Sequence, residues 1–355
     1  MARSSVRVAY ICKAVSEESP VVATQVAWIR SLASLDGVDA VAVLTPKARP
    51  VSLPANVTVS EFGRGYRGLF RFFFRAIKMA RSVDFFFIVQ GGPYPALLLP
   101  IKLAWRRPIY QWKAHSHVSR RMRFYARWCD DLIFTATESS LPIDSPKVRV
   151  VGHGIDTDAF RPKEGRSPER KLLYVGRVAP IKRLDNLLRA LSACNERYGT
   201  EYQLDVVGPG QTENIDDLLA LAESLGQGET VRYLGVQRHS DLPELMSQYW
   251  AMANFSRTAL DKSALEAMAC GLPLVTTNKS TLEALPTGLR QLLGADEGDE
   301  QAEAEVIQRV MSLDLDAYRD VAEAVRELVV KDHSLDRLFA KIMAHIEAHR
   351  SPSSS

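Results

Sequence analysis

Residues 171–191 read KLLYVGRVAPIKRLDNLLRAL. A short apolar run closes at Gly176, and a loop turned by Pro180 follows. Leu184, Leu187, Leu188 and Leu191 then recur at i, i+3, i+4 and i+7, which is one apolar face of a helix. A strand buried on both faces and an amphipathic helix behind it form one β–α unit of a parallel sheet. The same alternation extends in both directions. Toward the N-terminus, strands are predicted at 6–12, 39–45, 57–62, 85–90, 108–114, 131–137 and 148–152. Toward the C-terminus they are predicted at 171–176, 202–208, 230–235, 251–256 and 272–277. The pattern pauses only at 156–170, a polar stretch with Pro162, Gly165 and Pro168, so a linker is placed there. The expected architecture is α/β, with two Rossmann-like, doubly wound parallel-sheet domains at 1–162 and 163–332. A closing helix is expected at 333–350, and a disordered tail at 351–355, where the residues are small and polar. Ligands of such sheets bind beyond the carboxyl ends of the strands. Two facing domains would therefore hold their site in the cleft between them.

Bulk properties narrow the class. A chain of 355 residues can bury two cores, and 46% hydrophobic with 25% charged residues is the balance of a globular protein. Cys12, Cys129, Cys194 and Cys270 form no CxxC pair, which argues against a zinc site or disulfide framework and fits a reducing compartment. The apolar stretch at the N-terminus is short and broken by Lys13, as in a core strand rather than a signal peptide. No run reaches the roughly 20 apolar residues of a membrane span. The net charge of +3 conceals an asymmetry: residues 1–163 hold 24 Lys+Arg against 12 Asp+Glu, and the remainder holds 21 against 30. Different partners are expected for the two halves.

The residues that directly follow strands carry the chemistry. Arg177 and Lys182 lie on the loop after 171–176, where two cations could neutralise a leaving diphosphate. In the segment 256–273, SRTALDKSALEAMACGLP, a helix is expected to start near Asp261, Lys262 and Ser263. Its first backbone N–H groups form a ready anion site, and Glu266 could accept ribose hydroxyls. Ser263-x-x-Glu266 reads equally as a capping box, a purely structural role. His115 and His117 follow the strand 108–114, where either could bond the transferred sugar or an acceptor hydroxyl. Gly208-Pro-Gly210 permits close approach of a ligand or makes an ordinary tight turn.

In chain order these pieces resemble the family 4 retaining glycosyltransferases of GT-B fold. VGR at 175–177 with Lys182 is similar to that family's diphosphate-binding pair. LDVVGPG at 204–210 resembles the strand and turn lining the nucleotide pocket, and VRYLG at 231–235, ending on Gly235, the segment beside the donor base. Leu265-Glu266 within LEAMACGLP resembles its most recognisable signature, in which the glutamate binds ribose. GHGID at 152–156 with FRP at 160–162 is similar to the family's approach to its linker, and HSLDR at 333–337 to the start of a helix that crosses back to the first domain. The resemblance implies donor binding by Arg177, Lys182, Gly208, Gly235, Asp261, Lys262, Ser263, Leu265 and Glu266. It implies catalysis with retention of configuration by His115, Arg177 and Lys182. No metal or other cofactor is implied beyond a UDP- or GDP-linked sugar as co-substrate. Two departures stand out. Thr258 occupies the position of the family's first glutamate, and Asp261 is placed to take over part of its role. The glycine-rich loop after the first strand is replaced by VSEESPVVA at 15–23.

The basic half suggests where the acceptor lies. Arg64, Arg67, Arg71, Arg75, Lys78 and Arg81 recur every three or four residues, with Phe70, Phe73, Phe74 and Ile77 beside them. Such a helix suits an anionic membrane surface, although a core-packed helix with a solvated basic face reads the same way. A second basic cluster comprises Arg120, Arg121, Arg123 and Arg127. The expectation is a hexosyltransferase in the cytoplasm, peripheral on the inner leaflet of the plasma membrane. Its acceptor would be lipid-linked or an oligosaccharide, in cell-envelope or exopolysaccharide synthesis. No nucleic-acid motif or aromatic platform is present. Two other readings stay open: a non-enzymatic GT-B-like scaffold with a degenerate donor-sugar site, and a nucleotide-sugar 2-epimerase.

Overall fold

The computed structural model describes residues 5–17, 23–165 and 168–350. Among them, twelve strands form two parallel sheets. The first comprises β1 (Val6–Ile11), β2 (Val38–Thr45), β3 (Val57–Glu61), β4 (Phe85–Val89), β5 (Ile109–Trp112), β6 (Leu132–Thr135) and β7 (Val148–Val150). The second comprises β8 (Glu169–Val175), β9 (Gln203–Val207), β10 (Val231–Tyr233), β11 (Tyr249–Asn254) and β12 (Leu274–Thr276). Strand order is β3-β2-β1-β4-β5-β6-β7 in one sheet and β10-β9-β8-β11-β12 in the other. Order therefore reverses between β1 and β4, and again between β8 and β11. At each reversal the connecting helices leave to opposite faces and open a crevice at the strands' carboxyl ends.

The central strands are buried because helices cover both faces. β4, FFFIV, and β11, YWAMAN, have no exposed residue, as the near-continuous apolar runs require. In the helix Leu184–Tyr198 the buried residues include Leu184, Leu187, Leu188 and Leu191, the face read from their spacing.

The chain divides into two compact units, residues 1–154 with 335–355, and residues 155–334. The first boundary lies eight residues before the expected 162/163 junction. Polarity of the 156–170 stretch misplaced it, because its early residues pack into the second unit. Ile155 and Phe160 are buried, the Ile155 amide donates to the His333 carbonyl at 2.8 Å, and Arg326 donates to the Phe160 carbonyl at 3.2 Å. His333, expected to open the closing helix, instead ends the helix Leu315–His333, and the last helix is Leu335–Arg350. That last helix belongs to the first unit. Its Phe339 meets Trp28 edge-on at 5.6 Å, and Trp28 also meets Trp112 at 4.9 Å and donates to the Gly154 carbonyl at 3.1 Å. The tail 351–355 and most of the 15–23 stretch lie outside the described residues. All four cysteines are buried, and none forms a disulfide.

The helix Gly65–Met79 packs one face on the core and leaves a basic face in solvent. Gly68, Phe72 and Ala76 face the core, and Phe73 and Ile77 pack partly against it. Of the four apolar residues expected at the surface only Phe70 and Phe74 stand out, 66% and 53% exposed, and Tyr66 joins them at 92%. Arg64, Arg67, Arg71, Lys78 and Arg81 are exposed around these rings. Arg75 instead turns back to the Glu61 carbonyl.

Candidate donor site in the C-terminal unit

At the reversal between β8 and β11 the chain leaves β8 through Gly176, exposed Arg177 and the single turn Pro180–Lys182. Burial of Ile181's neighbour Lys182 brings a cation into the sheet edge: Lys182 is 8% exposed. Its Nζ lies 2.6 Å from Asp261 Oδ1 and 3.4 Å from Thr258 Oγ1. Asp261 also accepts from Asn254 Nδ2 at 2.8 Å, from Thr258 Oγ1 at 3.0 Å and from Ser256 Oγ. Burial alone would raise its pKa, but the Lys182 ammonium and these donors hold it below the ordinary carboxylate range. Both carboxylate oxygens are therefore committed to protein groups. The geometry makes Asp261 the anchor of Lys182 rather than a free acceptor for sugar hydroxyls, the part suggested by its place beside Thr258.

A layer of neutral polar groups holds this loop from below. Asn278 Nδ2 donates to the Ser256 and Thr258 carbonyls at 2.6 and 3.0 Å. Its Oδ1 caps the next helix by accepting from the Thr281 amide at 2.8 Å. Asn254 Oδ1 accepts from Thr281 Oγ1 at 3.0 Å and Thr276 Oγ1 at 3.2 Å. A fully satisfied buried network of this kind fixes one loop geometry.

The helix Lys262–Ala269 starts two residues earlier than a Ser263 cap requires. Its N-cap is Asp261, whose side chain makes no capping bond. The capping-box reading of Ser263-x-x-Glu266 is thereby overturned. Glu266 lies one turn into the helix and turns sideways, buried, onto Lys262 Nζ at 2.6 Å and His239 Nε2 at 2.7 Å. Lys262 and His239 are themselves 2.9 Å apart. Burial pushes the Glu266 pKa up, and Lys262 and the His239 bond outweigh that push and hold it low. Lys262 thus sits on Glu266, not at the helix mouth. Ser263 is partly exposed there, and Leu265 is core.

Glycines set the floor. The Gly208 amide donates to the Gly235 carbonyl at 2.9 Å. Gly208 has φ +137, and a Cβ on it would collide with the Gly176 carbonyl. Its need for glycine is the approach of two backbones, not of a ligand. The structure groups Arg177, Lys182, Asp261 and Thr258 at one mouth, with Lys262 and Glu266 one turn along the helix. His239, Asn254 and Asn278 went unnoticed in the sequence. A polar RHSD run at 238–241 soon after the Gly235 turn was the available signal for His239.

His115 belongs to the other unit. It follows β5, is exposed, and its amide donates to the Ser140 carbonyl at 2.6 Å. Partial burial and neighbouring Lys113 lower its pKa, so the ring is neutral at pH 7. Deeper in that sheet Asp130 is buried with neither carboxylate oxygen bonded. Burial pushes its pKa up to about 7, against the pull of Lys102 and Lys147. A raised folded value means stability that is complete below the unfolded pKa near 4 and is lost as pH rises toward 7. Asp130→Asn is expected to leave stability unchanged at pH 4 and to raise it at pH 8 by several kcal/mol, since each unit of displacement is worth about 1.4 kcal/mol. Urea unfolding at the two pH values checks this, and an equal effect at both refutes it.

Residues 169–312 match the family of glycosyl transferases group 1. The chain is similar to the D-inositol 3-phosphate glycosyltransferase of Actinosynnema mirum, 34% identical over 163 residues, covering 41% of this chain and 38% of that protein. It is 30% identical over 161 residues to the protein of the same name from Mycobacterium tuberculosis strain F11, covering 41% and 32%. The matched stretch thus spans well under half the length of these curated relatives. Whole-chain likeness comes from solved structures. Anabaena HepE in complex with UDP and glucose superposes with a TM-score of 0.75 at 16% identity, covering 97% of this chain and 100% of that one. The sucrose-phosphate synthase of Thermosynechococcus elongatus gives 0.73 at 16% identity, covering 97% and 99%. The two parallel-sheet units are those of the GT-B glycosyltransferase fold. The matched segment 169–312 carries Arg177, Lys182 and Glu266.

Proposed function

We propose that the chain is a retaining glycosyltransferase that moves a hexose-type sugar from a nucleotide-sugar donor to a lipid-linked or glycan acceptor. The observation that carries this reading is the buried Lys182–Asp261 pair beside exposed Arg177 at the switch point of the second sheet. As the bond between sugar and phosphate lengthens, negative charge gathers on the departing diphosphate. Arg177, Lys182 and the helix start near Ser263 meet that charge with fixed donors, which need no reorganisation as it develops. These cations do the work a divalent metal does elsewhere, so no metal or further cofactor is assigned. Glu266 takes the ribose hydroxyls, and His115 faces the transferred sugar. HepE was solved with UDP and with UDP-glucose, which favours a uridine or similar donor, UDP- or GDP-linked. Thermal shifts against UDP-, GDP- and ADP-sugars test the reading. Stabilisation by one base class supports it, and no stabilisation by any nucleotide overturns it in favour of a scaffold.

The acceptor side rests on the helix Gly65–Met79. Among the described residues no helix is long and apolar enough to cross a membrane. Exposed Tyr66, Phe70 and Phe74 within a ring of cations instead suit attachment to an anionic leaflet, at about 1 kcal/mol per basic residue near the surface. Phe70→Ser with Phe74→Ser is expected to lower sedimentation with phosphatidylglycerol vesicles severalfold while leaving the fold intact, because both rings are outside the core. Equal recovery with neutral and acidic vesicles for the unmodified protein refutes membrane attachment.

A further inference from the structure

The reversal between β1 and β4 opens a second crevice, wholly within the N-terminal unit, that the donor site does not use. β4 leaves the sheet through Gln90, Gly91 and Gly92, with φ of +65, +77 and +131. Three successive positive values include a non-glycine, a conformation that costs energy unless the surroundings impose it. The amides of Gly91 and Gly92 donate to nothing among the described residues. Successive backbone N–H groups in such turns form anion-binding concavities. The helix Tyr94–Trp105 begins directly afterwards, without a side-chain cap.

A second, independent observation points to a ligand. Gln111 on β5 is completely buried, yet neither its Nε2 nor its Oε1 has a hydrogen-bond partner. A bare buried amide is costly. Its Nε2 lies against Gly91, only 2.7 Å from where a Cβ would stand. Gly91 is therefore held to glycine by both its φ and this amide. Lys113, one residue past β5, reaches the same turn, with Nζ 3.4 Å from the Gln90 carbonyl. Partial burial lowers the Lys113 pKa, and Lys13 from the end of β1 and Arg121 lower it further by their proximity. Among the described residues none of these three cations is in an ion pair. The carboxyl that also faces Lys113 is Asp130, which burial drives toward its neutral form.

We propose that this crevice, formed by Gln90–Gly92, Gln111, Lys113, Lys13 and Arg121, is an anion site that receives the phosphate of a phosphate-bearing acceptor. It rests on the glycosyltransferase reading for the word acceptor, but its test does not. Inorganic phosphate and glycerol phosphate are titrated into the full chain and into Lys113→Met, Lys13→Met and Lys182→Met, alongside UDP. Lys113→Met and Lys13→Met are expected to weaken glycerol phosphate at least tenfold and to leave UDP affinity unchanged. Lys182→Met is expected to do the reverse. Lys13 is exposed, so its variant keeps the test valid if the Lys113 change disturbs folding. Vesicles containing phosphatidic acid, compared in the Phe70→Ser/Phe74→Ser background, separate a lipid headgroup from a soluble phosphate: an effect of Lys113→Met confined to vesicles assigns the former. If Lys113→Met and Lys13→Met bind glycerol phosphate and phosphatidic acid vesicles like the unmodified chain, the assignment is overturned. Loss of UDP binding in none of the variants would instead count against the donor reading and leave this site standing.

Discussion

Lys182→Met is expected to lower turnover roughly 10²–10³-fold, the effect of deleting one preorganised donor to developing charge. It is also expected to destabilise the protein by about 3–5 kcal/mol, because removing one partner of a buried pair leaves the other charge uncompensated. The two effects have separate origins here. Lys182 and Asp261 side chains are only 10% and 14% exposed, so solvent cannot replace the lost partner. Asp261 keeps its bonds from Ser256, Thr258 and Asn254, which sets the cost toward the lower end. Adding Asp261→Asn removes the stranded charge and is expected to restore most of the stability while turnover stays low. Arg177→Ala, by contrast, is expected to lower turnover with little change in stability, because that side chain is exposed. Denaturant unfolding and single-turnover rates on the set separate anchoring from catalysis. Turnover of Lys182→Met within tenfold of the unmodified chain removes the leaving-group role.

Much of the framework was legible because it follows from local pattern. Twelve apolar runs of strand length, most of them followed by a turn and a helical segment, leave few arrangements open. Arg177 and Lys182 could be picked out because residues that follow strands in such sheets gather at one edge. What escaped is non-local. Polarity marked 156–170 as a linker, yet Phe160 within it is buried and its carbonyl accepts from Arg326, far along the chain. The capping box failed for the same reason, since Lys262 and His239 claim Glu266 sideways before its own helix start can. Gln111 gave no signal, as one glutamine in an apolar strand has no spacing to read. On the helix Gly65–Met79, periodicity found the cations but not which rings face out. Phe73 differs from Phe74 only by 100° of rotation, and neighbouring core decides which is covered.

Glu266→Gln is expected to weaken binding of the nucleotide donor roughly 10–150-fold, the range for one hydrogen bond to a charged group at about 1.5–3 kcal/mol. The carboxylate is 4% exposed and held between Lys262 and His239, so its direction is fixed before a ligand arrives and little is lost to ordering on binding. Glutamine keeps the shape but replaces one acceptor oxygen with a donor. That amide would face the Lys262 ammonium, so the variant loses both the charge and the positioning. The pH dependence follows from the same contacts. Lys262 and His239 hold the folded pKa below the ordinary value of 4.5 despite burial. The stabilisation is therefore full above the unfolded value and is lost only as pH falls through the lower, folded one. Donor affinity of the unmodified chain is thus expected to stay flat from pH 8 to 5 as far as Glu266 is concerned. The Gln variant should lie parallel and weaker across that window. His239→Ala should fall between the two, because Lys262 still donates to Glu266 at 2.6 Å. A Gln variant that binds every nucleotide as well as the unmodified chain would show that Glu266 serves only to hold Lys262.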